Sequence, residues 1–214
     1  MRNCIDAAGN IINVPSAKIE HESDNVSVAE LKSNIRKDLR KQRREQDVKL
    51  ACSASIEICR RVIGMPEYER ADVILAYMCA KGEVDVSNIV KDAYSKGKRV
   101  AFPLCIENGG LRLLIPKTSK SFTVGAYGIM EPAIDDSIEI ESSELDLIIV
   151  PAVAYTRECL RLGQGGGYYD RLLKKTSAFT VGVGYDFQLL ESLPVEAHDI
   201  PLDCVALPSQ LIRK

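Results

Sequence analysis

Tryptophan is missing altogether and histidine occurs only twice, at His21 and His198, which excludes a histidine-rich metal centre. The seven cysteines, Cys4, Cys52, Cys59, Cys79, Cys105, Cys159 and Cys204, form no C-x-x-C pair. Because Cys79, Cys105 and Cys204 lie within or beside apolar segments, the set reads as reduced interior thiols and not as a disulfide framework or zinc site. No apolar run approaches the roughly 18 residues that cross a bilayer, and the first 25 residues show neither the apolar core nor the cleavage site of a secretory signal. A cytoplasmic protein without a membrane partner is therefore expected. Charge of one sign is not in excess either: 28 Lys and Arg against 30 Asp and Glu leave −2, so no whole-molecule field draws the chain to nucleic acid. Internal repeats and low-complexity tracts are also absent.

What is present is a chain of 214 residues with 46% apolar content, enough for one substantial core and too little for two domains and a linker. The expectation is a mobile tail over residues 1–25, where no periodicity is sustained, and a single domain over 26–214. The S-x-x-E spacing of Ser27 and Glu30 marks a helix start. The helix that follows carries Leu31, Ile35 and Leu39 beside Lys32, Arg36 and Arg40, an apolar stripe flanked by a basic one. A second amphipathic helix runs from about Val48 to Ile63 and stops at Gly64. The segments DVILAYM (72–78), DVSNIVKDAYSKG (85–97) and RVAFPL (99–104) read as strand, helix and strand, a unit that favours parallel pairing. LRLLI (111–115), LDLIIVP (145–151) and FTVGVGY (179–185) are further strands, and residues 117–144 read as loop-rich with a turn at YGIMEP. Alternating strands and helices, with strands apolar on both faces, predict an α/β fold: a three-layer α/β/α sandwich on a mostly parallel sheet.

The segment RLGQGGGYYDRLL (161–173) places four glycines within positions 163–167, between the strand LDLIIVP and a helix that starts near Tyr168. Open α/β sheets bind ligands at such carboxyl ends, and glycines let backbone N–H groups approach an anion. A phosphate is the natural guest. The familiar fingerprints do not fit: no Gly-Lys-[Ser/Thr] completes a Walker motif, and Tyr168 stands where G-x-G-x-x-G needs its last glycine. A tight strand-to-helix connection, with Asp170 in the first helical turn, is an equally good reading of the composition alone.

Taken whole, RLGQGGGYYD resembles the R-L-G-x-G-x-G-Y-Y-D motif of the 5-formyltetrahydrofolate cyclo-ligase family. KSNIRKDLR is similar to that family's basic first helix, YMCAKGEVDV to its strand and acidic turn, GIMEP and LDLIIVPAVAYT to its central elements, and HDIPLDCVAL to its closing segment. The resemblance implies a fold like that of ribose-phosphate isomerases and CoA transferases. It also implies ATP-dependent conversion of 5-formyltetrahydrofolate to 5,10-methenyltetrahydrofolate, with magnesium required and ADP and phosphate released. By the same resemblance Lys32 and Arg36 contact ATP, and Arg161, Leu162, Gly163, Gln164, Gly165, Gly166, Gly167, Tyr168 and Tyr169 form its loop. Asp170 and Asp203 hold magnesium; Met78, Glu83, Tyr155, Gln164 and Tyr168 border the folate; Arg161, Tyr168 and Asp170 are the catalytic set. Arg40, Lys41, Arg43 and Arg44 read as a solvated face.

The sequence also departs from the family pattern. Gln164 stands at a position often aromatic or basic, Gly166 where some members carry lysine, Thr156 for a frequent aspartate and Cys159 for a frequent glycine. These departures keep two alternatives open: a folate- or nucleotide-binding member without turnover, and a sugar-phosphate isomerase on the same fold. A monomer is expected. Asp170→Ala is expected to reduce turnover with little loss of stability, because a first-turn carboxylate contributes only about 0.3–1 kcal/mol to a helix.

Overall fold

The computed structural model describes residues 3–5, 11–13, 27–106, 110–118, 120–125, 128–194, 196 and 199–214. Two short strands, β1 (Asn3–Ile5) and β2 (Ile11–Asn13), pair antiparallel within the region read as a tail. The remainder of that expected tail lies outside the described residues.

Helix α1 (Val28–Glu45) begins where the Ser27 hydroxyl accepts the Glu30 N–H at 3.2 Å. Asp47 then caps α2 (Val48–Ile63) by accepting from the amides of Lys49 and Leu50 at 2.8 and 3.0 Å. A short α3 (Pro66–Arg70) has proline in its first turn, where a missing N–H costs nothing. The expected strand–helix–strand unit follows as β3 (Val73–Leu75), α4 (Ser87–Ser95) and β4 (Arg99–Cys105), with β3 and β4 parallel neighbours. Next come β5 (Leu111–Pro116), β6 (Phe122–Val124), β7 (Met130–Pro132), β8 (Ser137–Ile140) and β9 (Leu147–Pro151). The chain closes with β10 (Ala154–Tyr155), β11 (Arg161–Leu162), α5 (Tyr168–Leu173), β12 (Phe179–Val183), β13 (Cys204–Ala206) and β14 (Leu211–Arg213).

One eight-stranded sheet runs in the order β14, β13, β12, β9, β3, β4, β5, β8. Its centre, β13, β12, β9, β3 and β4, is parallel, and β14, β5 and β8 extend it antiparallel. Leu147 to Val150 of the central β9 have no exposed surface, as a strand covered on both faces requires. Ile58, Cys59 and Val62 of α2 and Ile89 and Ala93 of α4 pack on Ile74, Val100, Leu147 and Ile149 to cover one face. The opposite face is covered by Leu172 and Leu173 of α5 together with Cys159 and Leu202 from irregular connections. The sandwich has the expected three layers, one of them largely non-helical.

Residues 117–144 are less irregular than the sequence suggests, since β6, β7 and β8 lie there and MEP is strand β7. These strands span three or four residues and expose Val124, Met130, Ile134 and Ile138 around them, so no alternation lasts long enough to register in sequence. Cys79 and Cys105 are exposed, contrary to the interior reading, whereas Cys59, Cys159 and Cys204 are buried; these thiols are unbridged.

Candidate active site

Helix α1 crosses the carboxyl edge of the sheet, its Ile35 and Leu39 resting on Val153, Ala154 and Leu162 of the β10–β11 ribbon. The inward face is not the apolar stripe alone. Leu31 is 42% exposed, while Lys32 and Arg43 are 7% and 8% exposed, because what lies beneath the helix is a loop of carbonyls and carboxylates as well as methyl groups. Lys32 Nζ donates to Glu196 Oε2 at 2.7 Å and Asp199 Oδ2 at 2.8 Å. Burial pulls the Lys32 pKa down, but Asp199 and Glu196 together outweigh it and raise the value. One turn on, Arg36 Nε donates to the Gly163 carbonyl at 2.9 Å. Arg40 donates to the Gln164 carbonyl at 3.0 Å and to its side-chain Oε1 at 2.7 and 2.9 Å. Arg43 meets Glu83 at 3.5 Å. Arg40 and Arg43, read from sequence as solvated, thus contact Gln164 and Glu83, while Lys41 and Arg44 are exposed as expected. Burial, then the charges of Arg36, Arg43 and Arg44, lower the Arg40 pKa, so this face is a concentrated positive field.

The glycine segment lies directly under that field. Gly165 and Gly167 have φ of 109° and 69°, the left-handed region where a side chain is strained, and Gly167 is the N-cap of α5. Arg171 donates back to the Gly166 carbonyl at 2.6 Å and its guanidinium lies 5.4 Å from the centroid of the Tyr168 ring. Arg161 Nη2 donates to Asp170 Oδ1 at 2.7 Å, joining the start of the loop to the helix beyond it. A cavity of about 310 Å³ opens here, lined by Lys32, Arg36, Arg161, all of 163–167, Tyr168, Tyr169, Asp170, Glu196 and Asp199. Two lining residues present buried donors without a partner, Arg161 Nε and the Tyr169 hydroxyl. Burial, followed by the Glu83 charge, raises the Tyr169 pKa, which keeps that hydroxyl protonated and a donor. Because α5 spans only six residues, its dipole is weak, and the donors that face the cavity are chiefly these side chains.

Met78 lines a second, apolar cavity of about 590 Å³ with Tyr77, Phe102, Phe122, Met130, Lys91 and Lys117. The turn after it holds Glu83, whose Oε2 accepts the Ala80 N–H at 3.1 Å and whose Oε1 accepts from Gln164 Nε2 at 3.2 Å. Glu83 is thereby in direct contact with the glycine loop, although 81 positions separate it from Gln164.

Two residues, Tyr155 and Asp203, sit elsewhere than the resemblance implies. Tyr155 has no exposed surface and its hydroxyl donates to the carbonyls of Val150 and Val183 at 2.9 and 3.0 Å, so it is a core residue and not a folate contact. Leu162 stays with the loop: it borders the glycine cavity, and its side chain, 3% exposed, packs against α1. Asp203 accepts from the amide and hydroxyl of Thr180, both at 2.7 Å, at the amino ends of β12 and β13. Thr180 pairs with Ile148 near the start of β9, while the glycine cavity touches Pro151 at its end, so the two sites are separated by roughly 10 Å of strand. Asp203 cannot share an ion with Asp170. The acids that share the cavity with Asp170 are Glu196 and Asp199, which the sequence does not single out because a HDIP context does not reveal that they meet Lys32. Among the described residues no three Asp, Glu, His or Cys side chains form a closed metal cluster.

Comparison with known proteins accords with this arrangement. Residues 28–208 match the 5-formyltetrahydrofolate cyclo-ligase family. The chain is 33% identical over 156 residues to the 5-formyltetrahydrofolate cyclo-ligase of Escherichia coli K12, covering 71% of this chain and 86% of that one. It is 32% identical over 177 residues to a probable 5-formyltetrahydrofolate cyclo-ligase of Schizosaccharomyces pombe, covering 75% and 87%. The solution structure of the Aquifex aeolicus 5,10-methenyltetrahydrofolate synthetase superimposes with a TM-score of 0.77 at 34% identity, over 86% of this chain and 92% of that one. With its basic helix, glycine loop and acidic turn on the carboxyl edge of a mostly parallel sheet, the chain belongs to the 5-formyltetrahydrofolate cyclo-ligase family.

Proposed function

We propose that the protein closes 5-formyltetrahydrofolate to 5,10-methenyltetrahydrofolate while ATP is converted to ADP and phosphate. The observation that carries the nucleotide half is the pair of unmatched donors, Arg161 Nε and the Tyr169 hydroxyl, beside a glycine loop held under cationic α1. A buried donor left without a partner costs about 1–3 kcal/mol, so an acceptor-rich ligand such as a polyphosphate gains what the empty arrangement lacks. The aromatic and aliphatic walls of the larger cavity suit the flat pterin and aminobenzoyl rings, and Lys91 and Lys117 suit the glutamyl carboxylates.

A formamide is a poor electrophile, so its oxygen must first become a leaving group. In the proposed sequence the formyl oxygen attacks the γ-phosphorus and ADP departs. N10 then adds to the activated carbon and loses its proton, and the C–O bond breaks to release phosphate and leave the methenyl bridge. The residues act mainly by positioning and charge neutralisation: Arg36 and Arg40 brace the loop, Arg161 and Tyr169 donate to phosphate oxygens, and Glu83 accepts from pterin N–H groups. Asp170, with Asp199 or Glu196, would hold magnesium, a hard cation that needs only one or two carboxylates when phosphate and water complete its shell. That ion would neutralise charge on the transferring phosphoryl group. Monomeric action in the cytoplasm is part of the same proposal; a relative in Arabidopsis thaliana is named as mitochondrial, so cell fractionation is the check on location.

The test is to mix purified protein with 5-formyltetrahydrofolate, ATP and magnesium and follow the methenyl chromophore. Chromophore growth that stops when ATP is withheld supports the proposal, and no ATP-dependent product refutes it.

A further inference from the structure

Gln164 differs from the rest of the glycine loop in carrying a side chain that reaches out of it in two directions. Its Oε1 accepts two hydrogen bonds from Arg40, at 2.7 and 2.9 Å, while its Nε2 donates to Glu83 Oε1 at 3.2 Å. Arg40 also holds the Gln164 backbone carbonyl at 3.0 Å. Glu83 is otherwise fixed from below, by the Ala80 amide at 3.1 Å and by Arg43 at 3.5 Å. A rearrangement of the glycine loop therefore reaches Glu83 through the Gln164 amide. The side chain itself is solvent-exposed and contributes little to the core, so its bonds serve connection more than folding.

We propose that Gln164 is a positioning residue that couples the two halves of the site: a nucleotide that orders the loop orients Glu83 for the pterin, and bound folate in turn strengthens nucleotide binding. This rests on the cyclo-ligase reading above. An amide suits the task because one group accepts from a cation and donates to a carboxylate at once; an arginine or an aromatic ring at this position can do only part of it. Reciprocity is a thermodynamic requirement, since both ligands bias the same loop arrangement.

The experiment is calorimetric titration of 5-formyltetrahydrofolate into the full chain, with and without a non-hydrolysable ATP analogue and magnesium, for wild type, Gln164→Ala and Gln164→Glu. Wild type is expected to bind folate at least about fivefold more tightly with the analogue present. In Gln164→Ala that ratio should fall below about twofold while the melting temperature is unchanged, a separation that a merely structural role would not produce. Gln164→Glu keeps an acceptor for Arg40 but sets a carboxylate against Glu83, and it should lose the coupling too, which assigns the effect to the Glu83 bond. Wild type that binds both ligands with a ratio near one, or Gln164→Ala that keeps the wild-type ratio, overturns the proposal and leaves the cyclo-ligase reading standing. Wild type that binds neither ligand refutes both.

Discussion

Asp170 shows how a side chain's meaning changes once its partner is known. As a first-turn carboxylate it adds little to a helix, but here it neutralises Arg161, whose side chain is only 4% exposed. Breaking such a pair leaves a buried cation uncompensated. Since Asp170 is itself 24% exposed, the cost is set below the fully buried range, and Asp170→Ala should lose about 1–3 kcal/mol in urea unfolding as well as turnover. Asp170→Asn, which retains an acceptor for Arg161, should recover much of the stability and little of the activity; equal stability of wild type and Asp170→Ala would contradict the pairing. Tyr169→Phe works in the other sense. Its hydroxyl has no partner to lose, so the fold should be as stable or slightly more so, while kcat/KM for ATP should drop roughly tenfold for one lost hydrogen bond. Steady-state kinetics beside a urea titration separates the two effects. Lys32 offers a pH test. Its folded pKa is raised above 10.5, so the stability from its clamp is complete below that value and disappears as pH rises through the higher folded one. The melting-temperature difference between wild type and Lys32→Met should hold steady from about pH 7 to about pH 10 and shrink above that.

Among the elements, β9 lies at the interior of the sheet, between β12 and β3. Its Leu147, Ile148, Ile149 and Val150 have no exposed surface, and it pairs with β12 on one side and β3 on the other. Leu147→Ala should therefore cost about 2–5 kcal/mol, read as a lowered urea midpoint, and a cost under about 1 kcal/mol would mean that β9 is not central. This strand is legible in sequence because a short, continuous apolar run between polar flanks matches a strand buried on both faces, and α1, α2, α4, β3, β4 and β12 are legible from period and caps. The short edge strands β6, β7 and β8 are not, since three or four half-exposed residues hold no detectable alternation. Helix α1 is visible from its period and cap, but its orientation is not. Periodicity identifies a face with a shared chemistry, and it cannot say that the inward neighbours include carbonyls and carboxylates that pair with Lys32, Arg36, Arg40 and Arg43 beside the methyl groups under Ile35 and Leu39. Cys159 is a related case: it adopts φ of 60°, in the left-handed region, at a position where the resemblance leads one to expect glycine. The departure seen in sequence is thus a backbone position that glycine occupies with less strain.

At the scale of the molecule, the carboxyl edge of one sheet collects residues from across the chain: Lys32 and Arg36, Glu83, the segment 161–170, and Glu196 and Asp199. The family resemblance points to the first three groups. The last escapes because the closing segment contains two aspartates four positions apart, and only the fold shows that Asp199 faces the loop while Asp203 faces the amino edge with Thr180. Tyr155 poses the same difficulty, as an aromatic beside a site can equally be the core behind it. For the proposed reaction to proceed, this edge must align the γ-phosphate of ATP with the formyl oxygen of the folate. The most direct test uses 5-formyltetrahydrofolate labelled with heavy oxygen in the formyl group, with mass analysis of the inorganic phosphate after a single turnover. Transfer of the formyl oxygen to phosphorus predicts one labelled oxygen in the released phosphate, whereas unlabelled phosphate accompanied by methenyl product would contradict it.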